Sequence, residues 1–293
     1  MEKIQISYTM LNDCPCVKSK SGGNKIYQLS EDEVLKIFSL NYSMKFHCYS
    51  EYSLEEKILN SEKYCCDSAI VSPKKAAYYG DTLVGYTEEK VDGESIFLFY
   101  RNVYDSCSDL YPLACLYSKL EEHVRNASDV VFPDLCTLGN VLVSGIDEEM
   151  VVKFVDYDGL QVDCYPSMNI SSLLGDFSQY KNSKYLSSGK LFTKELDKRS
   201  LAQLYFLLAF HIDLNCVGHL HPDCNRPMTS DDLFWMIGLD DEVVQNKIRK
   251  FFSTDVASEY LGDDVFRIAD QYQVEEISHP YGFPYKAKKL RKK

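Results

Sequence analysis

The fold is most strongly indicated by residues 130–159, VVFPDLCTLGNVLVSGIDEEMVVKFVDYDG. This segment contains two short apolar runs rich in β-branched residues, at positions 141–143 and 151–155. A polar segment with one glycine, residues 144–149, separates them. The pattern predicts a β-hairpin whose loop is longer than the tight two-residue type.

Polar residues flank both predicted strands. Asp134 and Asn140 precede the first strand, and Asp156 and Asp158 follow the second. The start of one antiparallel strand lies beside the end of its partner, so carboxylates and an amide should converge there. Oxygen ligands on a rigid support suit Mg²⁺, with a phosphate completing the coordination. The alternative is an acidic hairpin with solvated ends, because Asp and Asn are common beside strands.

The same residues resemble the catalytic and metal-binding loops of the protein-kinase-like superfamily, in which an Asp, an Asn, a strand pair and an Asp followed by an aromatic residue succeed one another. The resemblance implies that Asp134 accepts the proton of the substrate hydroxyl. It also implies that Asn140 and Asp156 hold magnesium, with Tyr157 in place of the usual Phe. Asp158 is a further candidate metal ligand.

A lysine lies inside an apolar run near the N-terminus. Residues 4–38 predict strands. Among them, 25–29 and 34–38 predict two strands joined by a turn, and Lys36 lies within the second. A buried cation needs a partner, whereas a lysine on an edge strand can simply face solvent. The resemblance implies that Lys36 binds nucleotide phosphates and that Gly22 and Gly23 belong to a degenerate Gly-rich loop above them.

Residues 50–63 predict a helix that opens with a Ser-x-x-Glu capping box. The resemblance implies that Glu55 on this helix is the ion-pair partner of Lys36. Glu51 and Glu56 remain rivals for that role, and a solvated helix face is the alternative for each of them.

Residues 85–93, GYTEEKVDG, resemble the hinge that joins the two lobes of a kinase. The resemblance implies that the backbone at Glu89 and Val91 binds the adenine ring. Glu88 would then gate the pocket behind the adenine, where a carboxylate is unusual. A strand that ends in a Val-Asp-Gly turn is the alternative.

The second half of the chain shows helical patterns. Residues 108–127 carry apolar side chains at helical spacing, and residues 195–212 are apolar nearly all round, which predicts a buried helix. Asp197 resembles the C-lobe Asp that bonds backbone amides of the catalytic loop, although helix capping would also explain it. The long polar segment 160–193 would be the activation and substrate-binding segment.

Composition sets the outer limits. The chain has 293 residues, is 45% hydrophobic and carries a net charge of −12, which predicts a large core and argues against broad nucleic-acid binding. No signal peptide and no run near the ~20 apolar residues of a membrane span is evident, so we expect a cytoplasmic protein that does not enter a membrane. Eleven Cys without CxxC spacing predict free thiols.

The C-terminal third is less informative. Residues 230–252 predict helices with Trp235 in the core, and the terminal KAKKLRKK is interpreted as an irregular, solvated tail. One short segment contains zinc-ligand residue types, which makes a zinc-dependent interaction module a distant alternative; these residues are Cys216, His219, His221 and Cys224.

Together these patterns predict an α+β, two-lobed protein-kinase-like fold, with a β-rich N-lobe over residues 1–91 and a helical C-lobe over 92–293. The implied function is ATP- and Mg²⁺-dependent phosphoryl transfer to a Ser, Thr or Tyr hydroxyl of a protein substrate. Phe132-Pro133 stands where the family has His-Arg, and Asp134 and Asn140 are six residues apart, one more than usual. These departures leave open a pseudokinase that binds nucleotide or a partner, or a small-molecule, aminoglycoside-type phosphotransferase.

Overall fold

The structure is a computed structural model. It describes residues 1–19, 24–39, 53–64, 67–106, 110–133, 135, 139–167, 187, 191–210, 226, 229–254, 272–277 and 287–292. These residues form α-helices and a β-rich sheet, which confirms the predicted α+β class. None of the described helices combines the length and apolar character needed to cross a membrane.

The chain divides into two compact units. The first contains Met1–Phe97, Leu120–Gly145 and Met150–Asp197. The second contains Leu98–Lys119, Ile146–Glu149 and Lys198–Lys293. The division of the fold into lobes at residues 91 and 92 stays a prediction.

The described residues of the first unit form a six-stranded sheet in the order β1-β5-β6-β4-β3-β2. Strand β1 pairs with β5 in parallel, and the other neighbours are antiparallel. The strands are β1 Glu2–Gln5, β2 Cys16–Ser19, β3 Lys25–Gln28, β4 Glu33–Ile37, β5 Lys75–Tyr79 and β6 Thr82–Glu89.

Strand β4 lies inside this sheet, between β3 and β6, and this position buries Leu35 and Lys36. Lys36 is opposite Tyr86 of β6. Gly85, which precedes Tyr86 on β6, has no room for a side chain, because a Cβ at this position would overlap the carbonyl oxygen of Lys36. The two strands therefore approach closely where the lysine lies.

Two predicted segments in the N-terminal part of the chain differ from the structure. Helix α1, Tyr8–Asp13, interrupts a region predicted as strand, and it begins where the side chain of Ser7 accepts a hydrogen bond from the Met10 N–H. The helix predicted over 50–63 is two helices, α2 Leu54–Leu59 and α3 Ser61–Tyr64. The capping box at the start of α2 is confirmed.

The predicted hairpin is confirmed. Strands β9, Val141–Ser144, and β10, Val151–Phe154, are antiparallel, and Val141 is opposite Phe154. The Val155 N–H extends the pairing by donating to the Asn140 carbonyl oxygen over 2.9 Å. Asn140 and the residues after Val155 therefore lie at the same end of the hairpin.

Three further strands surround this hairpin. Strand β7, Glu94–Ser95, pairs with β9 on the side away from β10. Strand β8, Val130–Val131, precedes the hairpin and pairs with β11, Gln161–Val162, which follows it. The segments on either side of the hairpin are thus joined to each other by β8 and β11.

Three longer helices are α4 Ile96–Ser106, α5 Tyr111–Asn126 and α6 Glu195–Phe210. Two of these three, α5 and α6, agree with the predicted helical patterns, whereas α4 was not predicted. Most residues of α6 are buried, among them Leu204, Phe206 and Leu208, which confirms the prediction of a buried helix.

The end of the chain differs from the prediction. Helices α7, Ser230–Ile237, and α8, Glu242–Thr254, are followed by an antiparallel pair, β12 Tyr272–Ile277 and β13 Ala287–Lys292. The basic block predicted as an irregular tail therefore belongs to a strand. Trp235 was predicted in the core but is 80% exposed, because helix α7 presents this position to solvent.

Candidate functional site

The sheet and the hairpin bring Lys36 to the acidic residues after β10. Lys36 is only 2% exposed, and its ammonium contacts the Oδ1 atoms of Asp156 and of Asp158, the latter at 2.5 Å. All three residues belong to the first unit. A buried ammonium requires such partners, so the expectation that Lys36 cannot stand alone in an apolar strand holds.

Asp158 is completely buried. Its Oδ1 atom also accepts a hydrogen bond from the Tyr86 hydroxyl at 2.7 Å. Since Tyr86 is opposite Lys36 on the neighbouring strand, the two donors reach this carboxylate from adjacent positions of the sheet. Complete burial disfavours Asp158 as a ligand of a hydrated Mg²⁺, the role considered for it on the sequence, and favours a role as counter-ion of Lys36.

Asp156 has a different environment. Its side chain is 25% exposed, and its backbone is left-handed, with φ 73° and ψ 49°. A left-handed non-glycine residue costs free energy and is enriched at functional sites. A 3-10 turn over Tyr157–Gly159 follows, and the Gly159 N–H donates to the Asp156 carbonyl oxygen at 2.8 Å.

Asn140 and Asp156 line one small cavity of about 10 Å³ at the end of the hairpin, room for about one water molecule. An amide and a partly exposed carboxylate are oxygen donors of the type that Mg²⁺ prefers, whereas the other residues that line this cavity are apolar or glycine. Within the described residues, no group of three or more His, Cys, Asp or Glu side chains is arranged to hold a metal.

Lys57 is a candidate functional residue that the sequence reasoning missed. It is completely buried on α2, and its ammonium donates to the carbonyl oxygens of Asp158 at 3.0 Å, Pro166 at 3.0 Å and Leu160. A signal was present, because Lys57 lies three residues after the buried Leu54 and therefore shares its helix face.

Glu55 does not take the predicted role. Its carboxylate accepts a hydrogen bond from the Tyr78 hydroxyl at 2.5 Å and lies 3.9 Å from the Lys3 ammonium. Burial, together with the bond to Glu55, raises the pKa of Tyr78. Glu55 precedes Lys57 by two residues, about 200° around a helix, so it cannot share the face that Lys57 turns inward.

The predicted ion pair between Glu55 and Lys36 is therefore corrected: Lys36 pairs with Asp156 and Asp158 instead. Of the two rivals, Glu56 has its carboxylate in the capping box of α2. Glu51 lies outside the described residues.

Asp197 holds the segment before the hairpin. It is 2% exposed, and its Oδ1 atom accepts a hydrogen bond from the Phe132 N–H at 2.7 Å. Lys194 donates to its Oδ2 atom at 2.8 Å and also to the Val130 carbonyl oxygen. The predicted bond from Asp197 to this loop is confirmed, and burial raises the pKa of Asp197 to about 6 despite these two donors.

The predicted hinge residues lie at the end of β6, the strand that pairs with β4, and directly after it. Glu88 is buried, and Glu89 is the exposed last residue of β6, opposite Glu33. Val91 is half-buried in the connection between β6 and β7. Lys36 and Glu89 are therefore on neighbouring strands, and Val91 follows two residues later, while the adenine role itself stays a prediction.

Several predicted features lie outside the described residues. They are Gly22 and Gly23, the catalytic candidate Asp134, most of the polar segment 160–193, and the possible zinc ligands Cys216, His219, His221 and Cys224.

No protein-family model matches the sequence, and no curated protein matches it. The geometry of Lys36, Asp156, Asn140 and Asp197 is therefore the basis for a functional assignment.

Proposed function

We propose that this chain is a two-lobed, protein-kinase-like phosphotransferase that transfers a phosphoryl group from ATP to a hydroxyl of a protein substrate, with Mg²⁺. One observation carries the proposal. Lys36 of a central sheet strand contacts Asp156 at the end of β10, and Asp156 lines one cavity with Asn140. A cation from a distant strand and a partly exposed carboxylate are thus in contact at the end of the hairpin where Asn140 also lies.

Each residue has a distinct role in this proposal. Lys36 would bind the phosphates, which would compete with the carboxylates for its ammonium. Asp156 and Asn140 would hold Mg²⁺, which when bound neutralises charge on the phosphoryl oxygens. Asp134 would orient the acceptor hydroxyl and take its proton, and the backbone at Glu89 and Val91 would bind adenine.

Charge explains why a divalent cation is required. Two carboxylates face one ammonium, and the whole chain carries a net charge of −12. A polyphosphate would be repelled from this site unless a cation lies between it and Asp156.

A pseudokinase scaffold is the second candidate, and the burial of Lys36 favours it. Two carboxylates already satisfy the ammonium, so Asp158 would be its permanent partner in a site that does not catalyse transfer. Phe132-Pro133 in place of His-Arg points in the same direction.

The decisive experiment combines thermal shift and transfer. ATP with Mg²⁺ is expected to raise Tm, and ATP with chelator is expected to do much less. Asp156→Asn should lose most of the Mg²⁺-dependent part, and Asp158→Asn should lose less of it. The matched control is Asp81→Asn, in the exposed turn between β5 and β6, which should behave as wild type.

Three outcomes would revise the proposal. Equal stabilisation with and without metal would remove Mg²⁺ from the site. A larger loss in Asp158→Asn than in Asp156→Asn would exchange their roles. ATP binding without transfer of label to the chain itself or to generic protein substrates would favour the pseudokinase, and no ATP binding at all would reject the nucleotide site.

A further inference from the structure

Helix α2 is tied to the segment after Asp156 through a single buried ammonium. Lys57 donates to carbonyl oxygens at both ends of this segment, at Asp158 and at Pro166, and to Leu160 between them. An ammonium carries three N–H donors, and three carbonyl groups accept from this one. The backbone from 158 to 166 thus folds back on itself around Lys57.

Other contacts close the same loop. The Ser167 hydroxyl donates to the Gly159 carbonyl oxygen at 2.6 Å, and the Tyr165 N–H donates to Val162 at 2.9 Å. The Gln161 side chain both donates to and accepts from the backbone of Phe192. The loop is therefore an ordered structure with Lys57 at its centre.

The burial of Lys57 and the folding of the loop depend on each other. A buried ammonium is costly without acceptors, and buried carbonyl groups are costly without donors. Neither partner can leave without exposing the other to that cost, so α2 and the loop should move as one unit.

Asp158 connects this unit to the proposed site. Its carbonyl oxygen accepts from Lys57, while its carboxylate accepts from Lys36 and from Tyr86. A movement of helix α2 would therefore displace Asp158 and, with it, the carboxylate that contacts the Lys36 ammonium on strand β4.

We infer that Lys57 is a positioning residue. By holding the backbone of 158–166, it keeps the Asp158 carboxylate on Lys36 and keeps Asp156 at the end of the hairpin. Displacement of α2 would release Lys36 and disorder the carboxylate that the metal requires. The effect on nucleotide rests on the proposed function, whereas the coupling of α2 to the loop does not.

The coupling is tested by amide hydrogen exchange in Lys57→Met, which removes the ammonium and retains the apolar stem. The reporters are the Gly159, Leu160 and Tyr165 amides, and the references are the Phe154 and Val155 amides of the hairpin. Reporter exchange should accelerate by about tenfold or more, with about threefold or less at the references. The control is Lys63→Met, an exposed lysine on α3, which should change neither set.

Equal acceleration at reporters and references would show a general loss of stability and overturn the inference. If Lys57→Met does not fold, the wild-type protein still provides a test. The amides of Lys57 on α2, of its C-cap Asn60 and of Leu160 in the loop should share one opening free energy and one denaturant dependence. Independent opening of helix and loop would overturn the coupling.

The link to nucleotide is measured separately. Lys57→Met should raise the Kd for ATP with Mg²⁺ by about tenfold, and Lys63→Met should leave this Kd unchanged. A loosened loop with unchanged affinity would overturn the transmission to Lys36. If the wild type does not bind ATP, the proposed function fails, and the exchange data still decide whether Lys57 couples α2 to the loop.

Discussion

Two loops flank the β9–β10 hairpin, and buried side chains of opposite charge hold them: a carboxylate holds one loop, and ammonium groups hold the other. The upstream loop, residues 132–133 directly after β8, is held by a carboxylate that accepts a backbone N–H, Asp197 on Phe132. The downstream loop, which follows β10, is held by two ammonium groups, Lys36 on its carboxylates and Lys57 on its carbonyl groups.

The difference lies in where the anchors originate. Lys194 and Asp197 are three residues apart and hold the upstream loop as one local pair. The downstream anchors come from a sheet strand and from a separate helix, and one of them neutralises a completely buried carboxylate. We therefore expect the downstream loop to suffer more from the loss of one anchor.

The largest effect is expected for Lys36→Met. The variant leaves Asp158 buried without its ammonium, and breaking a buried pair in this way costs about 3–5 kcal/mol in the free energy of unfolding. On the sequence alone, this variant is expected to keep its fold and to show weaker nucleotide binding or transfer. Denaturant unfolding followed by circular dichroism measures the change.

The double variant Lys36→Met/Asp158→Asn is the control for this effect. Removing the buried charge should restore part of the lost stability, because a neutral amide still accepts from Tyr86. Equal destabilisation of the single and double variants would mean that packing of the lysine stem, and not its charge, stabilises this loop.

Asp197→Ala should have an intermediate effect on the upstream loop. Loss of the acceptor for the Phe132 N–H should cost about 1–3 kcal/mol, which a shift in the denaturant midpoint would reveal. Asp197→Asn retains an acceptor oxygen and should cost less. A midpoint equal to wild type for Asp197→Ala would show that the loop does not depend on this carboxylate.

The stability should also depend on pH through Asp197. Burial raises its pKa from 3.8 to about 6, so the folded state binds this proton more tightly than the unfolded state. The contribution of Asp197 to the free energy of unfolding is therefore fully present below about pH 4 and is lost as the pH rises through about 6. The free energy of unfolding of wild type minus that of Asp197→Asn should fall across this range. If this difference does not change with pH, Lys194 keeps the Asp197 carboxylate ionised over the whole range.

The smallest effect is expected for Glu55→Gln. The side chain is 41% exposed and contacts Tyr78 and Lys3, so its charge should contribute at most about 0.5 kcal/mol. The ATP-induced shift in Tm should equal that of wild type. A marked loss of that shift would mean that Glu55 belongs to the nucleotide site after all, and that Lys36 is not held by the downstream carboxylates alone.

Much of the supporting structure can be predicted from local patterns. The hairpin follows from two β-branched runs with a polar loop, and the buried helix α6 follows from its continuous apolar character. Both features depend on neighbouring residues in sequence. The bond from Asp197 to the Phe132 N–H spans 65 residues, and on the sequence alone it is implied only by the resemblance to kinase-like proteins.

The partners of the buried lysines could not be predicted in this way. Asp158 is 122 residues from Lys36, and the carbonyl groups that accept from Lys57 become acceptors only through the path of the folded loop. The prediction for Glu55 failed because it considered the type of residue on the helix and not the face on which it lies. The exposure of Trp235 likewise depends on what packs beside α7.

Trp235 is the only tryptophan of the chain, and it is 80% exposed on α7. Its indole is already in contact with water in the folded protein, so its emission should be red-shifted before unfolding begins. Intrinsic tryptophan fluorescence will therefore report poorly on the loss of the hairpin, the sheet or either loop. The same property makes Trp235 a sensitive optical probe for any molecule that covers α7, because burial of the indole would shift its emission to the blue against a constant background.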